Sequence, residues 1–318
     1  MCRTEDAKTA LTRLFSRHSD TDATGGCQNG RSPWTARMAG HENRWRPFRD
    51  HVAPTGPPAY RGAMFPLRDE NPTELIPFVT FLLILANVAV WLFVQGAGSG
   101  QLFIESLCQY GAIPGAVTGA IPAGTSIELG PGAACRVFGP AARSVLTSMF
   151  MHGGWMHLIG NMWFLWVFGN NIEDSMGHVR YLVFYLLTGG LASAAHIALD
   201  PGSAIPTVGA SGAISGIMGA YMVLYPKVRV QTLLIIIIYI RVIPLPAWVL
   251  LVYWFFLQVV GGSVAGGGGG GGVAFWAHVG GFAAGVALVK LFEKRKLVTA
   301  KRAGHVLSRD EMGRWDPW

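Results

Sequence analysis

Three short stretches of the chain hold side chains suited to acyl transfer. Gly209-Ala210-Ser211-Gly212 sets a serine hydroxyl among small residues. His157 and Asn161 lie four apart in the stretch His152-Gly-Gly-Trp-Met-His157-Leu-Ile-Gly-Asn161, so a helix would put them on one face. His278 precedes Gly281 and Gly285, a small-xxx-small stripe that lets a second backbone come close. A hydroxyl nucleophile, an imidazole base and further hydrogen-bond donors are what cleavage by a serine requires. No Asp or Glu is placed to complete a triad. Each stretch also has a structural use, since small residues pack membrane helices and a His/Asn pair can bond across them. A metal site built from His152, His157 and His278 would lack the carboxylate or thiolate ligands often used with histidine. There is no H-E-x-x-H motif and no pair of aspartates within apolar runs. No metal and no cofactor is expected.

Helices must carry these groups, and the composition says in what solvent. Of 318 residues 51% are hydrophobic and only 14% charged, with a mean hydropathy of +0.37. A soluble domain is about 25% charged, and a disordered chain is poor in apolar residues. A polytopic membrane protein with polar ends remains. A bilayer core of about 30 Å needs roughly 20 helical residues. Apolar runs at 75–94, 147–170, 179–199, 211–225, 247–260 and 273–292 meet or approach that length. A further run, 230–243, is separated from the fifth by Arg241, Pro244 and Pro246, and reads as interfacial or as a lead-in to that helix.

Charge sets the orientation. Eleven of the 25 Lys and Arg precede Thr73 and eight lie from Lys290 onward. Basic flanks mark the cytoplasmic side, so both termini are expected there, which requires an even number of spans, six. The expected partner of the basic ends is the lipid bilayer and not nucleic acid. The expected location is a bacterial inner membrane. The loops 96–146, 200–210 and 261–272 then lie outside and hold, of the Lys and Arg, only Arg136 and Arg143. The first is long enough to carry short helices of its own, and it contains Cys108 and Cys135, which could form a disulfide. The last contains seven consecutive glycines, Gly266–Gly272, a low-complexity flexible tether. Residues 1–63 are polar and rich in Arg, Pro and Gly, and are expected to be a disordered basic extension. Met64 is an alternative start that would leave them untranslated. The expected division is a membrane domain over 64–292 and a basic cytoplasmic tail over 293–318.

Under this topology the second, fourth and sixth helices run in the same direction, and His157, Asn161, Ser211 and His278 lie near their outer ends. They therefore share one depth. The set HGGWMHLIGNM, GASG and AHVGGFAAG resembles the rhomboid intramembrane serine proteases, in the family's order, over roughly residues 64–292. The resemblance implies an all-α, six-transmembrane-helix rhomboid-like bundle. It implies Ser211 as nucleophile, His278 as base, and His157 and Asn161 as oxyanion donors. His152 matches a further histidine common in the family, and Glu173 an acidic residue with a structural role. Gly209, Gly212, Gly281 and Gly285 fall in the matched motifs as structural glycines. The implied substrates are integral-membrane proteins cut near the outer face. Two positions depart from the family pattern: Ala142-Arg143 stands where many members carry Trp-Arg, and Ser215 where some carry a Tyr that packs on the base. The competing class is a catalytically inactive rhomboid-like protein that binds membrane helices, which would be expected to lack Ser or His at the dyad.

Overall fold

Helices dominate the chain, and each of the six apolar runs forms one. The computed structural model describes residues 62–130, 133–138, 141–236, 239–264 and 274–302, all within one unit over 59–318. The expectations for 1–61, for Gly266–Gly272 and for the tail beyond 302 lie outside the described residues. The six helices are α1 (Phe78–Ala89), continued by a π turn at Val90–Val94, α5 (Trp155–Met176), α6 (His178–Leu199), α7 (Ser211–Leu224), α8 (Ala247–Val264) and α9 (Phe275–Phe292). Three of them, α6, α8 and α9, are long and apolar enough by themselves to cross a membrane. Large apolar side chains point outward from the bundle, among them Phe93 at 84% and Leu291 at 75% exposure. In water such patches would drive association, whereas lipid accommodates them.

The first long loop is a small structured layer. It contains α2 (Gly100–Tyr110), α3 (Pro114–Thr118) and a hairpin of β2 (Ser126–Gly130) and β3 (Ala133–Arg136), then α4 (Ser144–Thr147). Cys108, Ile113, Ile127 and Val137 form its own apolar core. Cys108 is disulfide-bonded; the side chain of Cys135 lies outside the described ones. The layer grips the loop before α7, because Ala112 and Thr207 exchange backbone hydrogen bonds of 3.0 and 2.8 Å and Gly209 N–H donates to Ser148 O at 2.9 Å.

The expectation of an all-α protein is corrected at the opposite end. The run expected to be interfacial or a lead-in to α8 is not helical over residues 229–236 and 239–246. They are two strands, β4 (Arg229–Ile236) and β5 (Tyr239–Pro246), and with β1 (Gly62–Asp69) they make a three-stranded antiparallel sheet in the order β1-β4-β5. The run RVQTLLII is rich in residues that favour strands. Pro66, Pro244 and Pro246 sit in the two edge strands, where a missing N–H costs no ladder bond. The sheet begins two residues before Met64, and α10 (Arg295–Arg302) also packs on the bundle. Arg302 donates to the carbonyls of Val223 and Leu224, two of the unpaired acceptors at the C-terminal end of α7.

Glu173, fully buried near the end of α5, accepts Val79 N–H and Thr80 N–H, both at 2.8 Å, and the Thr80 hydroxyl at 2.7 Å. A carboxylate from one helix thus caps the N-terminus of another, where the helix dipole favours negative charge. Nearby, Asp69 of β1 accepts from the Tyr221 hydroxyl and from Asn171 Nδ2. Burial pushes the Asp69 carboxyl up to about 6, against the pull of the Tyr221 hydrogen bond and the Lys301 charge. A carboxyl raised in the folded state stabilises the fold below its unfolded value near 3.8, and that contribution is lost as pH rises through about 6. Asp69→Asn should therefore unfold at a higher temperature than the parent at pH 7.5, with the gap closing toward pH 4.5. Thermal unfolding in detergent across that range measures it.

Candidate active site

Ser211 is the first residue of α7, and His278 lies in the first turn of α9. The two helices touch through backbone. A Cβ at Gly281 would fall on the Gly212 carbonyl oxygen, one at Gly285 on the Gly216 carbonyl oxygen, and one at Gly219 on the Phe282 carbonyl oxygen. Only residues without side chains allow this approach. It brings Ser211 Oγ to 2.7 Å from His278 Nε2. That is hydrogen-bond distance for a hydroxyl and a ring nitrogen.

The other expected donors reach the same place from α5. Gly153-Gly154 breaks the chain ahead of this helix, and Gly153 N–H donates to His157 Nδ1 at 3.2 Å. A neutral imidazole has one N–H, so accepting at Nδ1 puts the proton of His157 on Nε2. Gly209 has φ +131°, a conformation side chains rarely adopt, and a Cβ there would sit 2.8 Å from His157 Nε2 and 3.3 Å from Ser211 Oγ. The missing side chain is the gap across which His157 Nε2–H faces the serine. Asn161, one turn further along α5, is buried, and its Nδ2 has no protein partner among the described residues. Ser211, His278, His157 and Asn161 line one cavity of about 850 Å³, together with Trp254 and Met218.

The remaining expected residues stand apart. His152 is buried beside the cavity, its ring edge-on to His157 with centroids 5.2 Å apart. Its backbone is held by Gln95, which accepts His152 N–H at 2.8 Å and donates to His152 O at 2.7 Å. Glu173 is at the far end of α5, away from the cavity. Ser215 turns its hydroxyl back to the Ser211 carbonyl at 2.6 Å and does not touch the histidine. Among the described residues no three His, Cys, Asp or Glu side chains converge to hold a metal ion.

Two residues not foreseen complete the surroundings of His278. Gln258 of α8 places Oε1 2.7 Å from His278 Nδ1. Trp254, one turn earlier on the same face, has its ring 5.8 Å from the imidazole at 39°. Gln258 is the only amide in the apolar run of α8, and a polar side chain within such a run is the signal that could have found it.

Fold and site define a helical, polytopic membrane protein with a serine–histidine pair at one end of its bundle. Residues 141–295 match the Rhomboid family, described as a rhomboid domain. The chain is 37% identical over 78 residues to Rhomboid-like protein 11, chloroplastic, of Arabidopsis thaliana, covering 24% of this chain and 28% of the plant protein. It is 38% identical over 78 residues to Rhomboid protease GluP of Bacillus subtilis (strain 168), covering 24% of this chain and 15% of that one. Rhomboid protein 1, mitochondrial, of Saccharomyces cerevisiae is 30% identical over 110 residues, which is 33% of this chain and 30% of the yeast protein. The chain thus spans less than a third of the length of these relatives. It belongs to the rhomboid family, which includes intramembrane serine proteases, and is an integral membrane protein.

Gly281→Val should separate α7 from α9 at the level of the serine. Overpacking of this kind costs about 1–3 kcal/mol, and a shift of about 1 Å at a reacting pair can cost about 10²-fold. The rate at which a fluorophosphonate probe labels Ser211 should fall by that order, in a protein that still elutes as a folded species.

Proposed function

We propose that the chain is an intramembrane serine endopeptidase that cleaves transmembrane segments of other membrane proteins near the outer face of the membrane. The observation that carries this reading is the 2.7 Å approach of Ser211 Oγ to His278 Nε2 inside the cavity lined by His157 and Asn161. Ser211 attacks the scissile carbonyl carbon while its proton passes to His278 Nε2. The carbonyl oxygen gains negative charge, and donors already aimed at it are worth most in a water-poor site. His157 Nε2–H and Asn161 Nδ2–H fill that role, with Ser211 N–H as a third donor. Collapse of the adduct breaks the C–N bond, and the proton on His278 goes to the leaving amine. Water then attacks the acyl ester, giving its proton to His278, and Ser211 recovers its hydroxyl as the carboxylate product leaves. His152 supports His157 from behind.

Ser211→Ala should abolish cleavage of a transmembrane substrate in liposomes. Asn161→Ala should retain probe labelling but lose turnover, at or below the low end of the roughly 10²–10³ that one oxyanion donor supplies, since His157 shares the task. Full cleavage by Ser211→Ala would remove the serine protease reading and leave the helix-binding alternative. Wild-type turnover in the double variant of His157 and Asn161 would move the oxyanion role to backbone amides or His152.

The topology that supports this site has six spans with both termini in the cytoplasm, and the sheet and α10 on that side. The basic ends favour it. Single cysteines introduced in α10 should react with a membrane-impermeant maleimide only after the membrane is opened. Reaction in intact cells would reverse the assignment.

A further inference from the structure

The single proton of neutral His278 has two places to be. On Nε2 it would block acceptance of the Ser211 proton, and on Nδ1 it leaves Nε2 free to act as base. A carboxamide oxygen accepts and does not donate. Gln258 Oε1 lies 2.7 Å from Nδ1, and Ser211 Oγ lies 2.7 Å from Nε2. The two bonds are therefore linked: Nδ1–H donating to Gln258 is the arrangement in which Ser211 Oγ–H donates to Nε2. Trp254 restrains the plane of the same ring from one turn away on α8. We propose that Gln258 is the positioning residue of the site. It holds His278 in the tautomer and orientation that serve Ser211, where serine hydrolases with a triad use a carboxylate.

The inference rests on the reading of Ser211 and His278 as the reacting pair. It adds a division of labour that a bare dyad does not have. A neutral acceptor fixes the tautomer, but it stabilises the imidazolium less than an anion would. The titratable groups bearing on His278 are His157 from α5 and His196 from α6. From α7 and α8 it meets Ser211, Trp254 and Gln258.

The test compares Gln258→Leu, which removes the acceptor, with Gln258→Glu, which keeps an oxygen in place. Both are made in the full chain and assayed in liposomes on a transmembrane substrate. An orienting partner can be worth up to about 10⁴ when it is a buried carboxylate. For a neutral amide a loss of about 10- to 100-fold is expected, at or below the low end of the roughly 10²–10⁴ that general base catalysis supplies. The loss should fall on kcat with KM little changed. Gln258→Glu should recover most of it, and should move the acidic limb of the pH profile to higher pH, because a carboxylate favours the charged imidazole. Nitrogen-15 spectra of the histidines report the tautomer independently of turnover. His278 should be protonated at Nδ1 in the parent and a mixture of tautomers in Gln258→Leu. Wild-type kcat in Gln258→Leu, or a parent protonated at Nε2, overturns the proposal. A loss that Gln258→Glu leaves unrecovered also overturns it. Cleavage surviving Ser211→Ala would instead remove the protease reading, and the tautomer spectra would still show whether Gln258 holds His278.

Discussion

The contact between α7 and α9 is the constraint on which the site depends. Two helices with ordinary side chains pack with axes 8–10 Å apart, and small residues at the contact let the backbones come closer than that. Here Gly212, Gly216 and Gly219 face Gly281, Gly285 and the Phe282 backbone, and carbonyl oxygens sit where side chains would otherwise be. The distance between Ser211 and His278 is thus set by backbone against backbone. In lipid no hydrophobic force drives helices together, so close packing of this kind must supply the cohesion.

A pair held so tightly still needs its helices fixed lengthwise, and that is done at the opposite end of the bundle. The lower end of α7 is tied by Tyr221 to Asp69, and its last carbonyls by Arg302. Lys301 joins α10 to α5 through Asn171 and Asp174 at 2.7 and 2.6 Å. Glu173 fastens the start of α1 to the same turn of α5. These polar groups are gathered where the helices end, so the membrane-embedded length carries few buried charges. Charge there would be costly.

What could be read in the sequence follows from that cost. Ser211, His278, His157 and Asn161 stood out because polar groups inside apolar runs need a reason, the glycines beside them pointed to close helix packing, and the family resemblance supplied their roles. The structure brings these four side chains to one cavity. The strands β4 and β5 were not legible as strands. An apolar run of fourteen residues can be helix or strand by hydropathy alone, and the partner that decides it, β1, lies more than 160 residues earlier, ahead of the first apolar run. Gln258 was missed for a different reason. It stands in no motif with the other groups, and only the packing of α8 beside α9 turns it toward His278.

The two histidines of the cavity show how little chemistry separates the proposed base from the proposed oxyanion donor. His157 accepts at Nδ1 from a backbone N–H, so its Nε2 must donate. His278 faces an amide oxygen at Nδ1, so its Nε2 must accept. His278 Nε2 meets Ser211, His157 Nε2 lies across the missing Gly209 side chain from it, and the atom behind each ring decides which way the proton points. For His157 that atom belongs to the glycine turn ahead of α5, so its role is written into backbone geometry and would survive most side-chain changes nearby. For His278 it belongs to a side chain on α8, and the role can be lost in a single substitution. The proposed base is therefore the more easily lost of the two roles, although its helix is the one held backbone to backbone against α7.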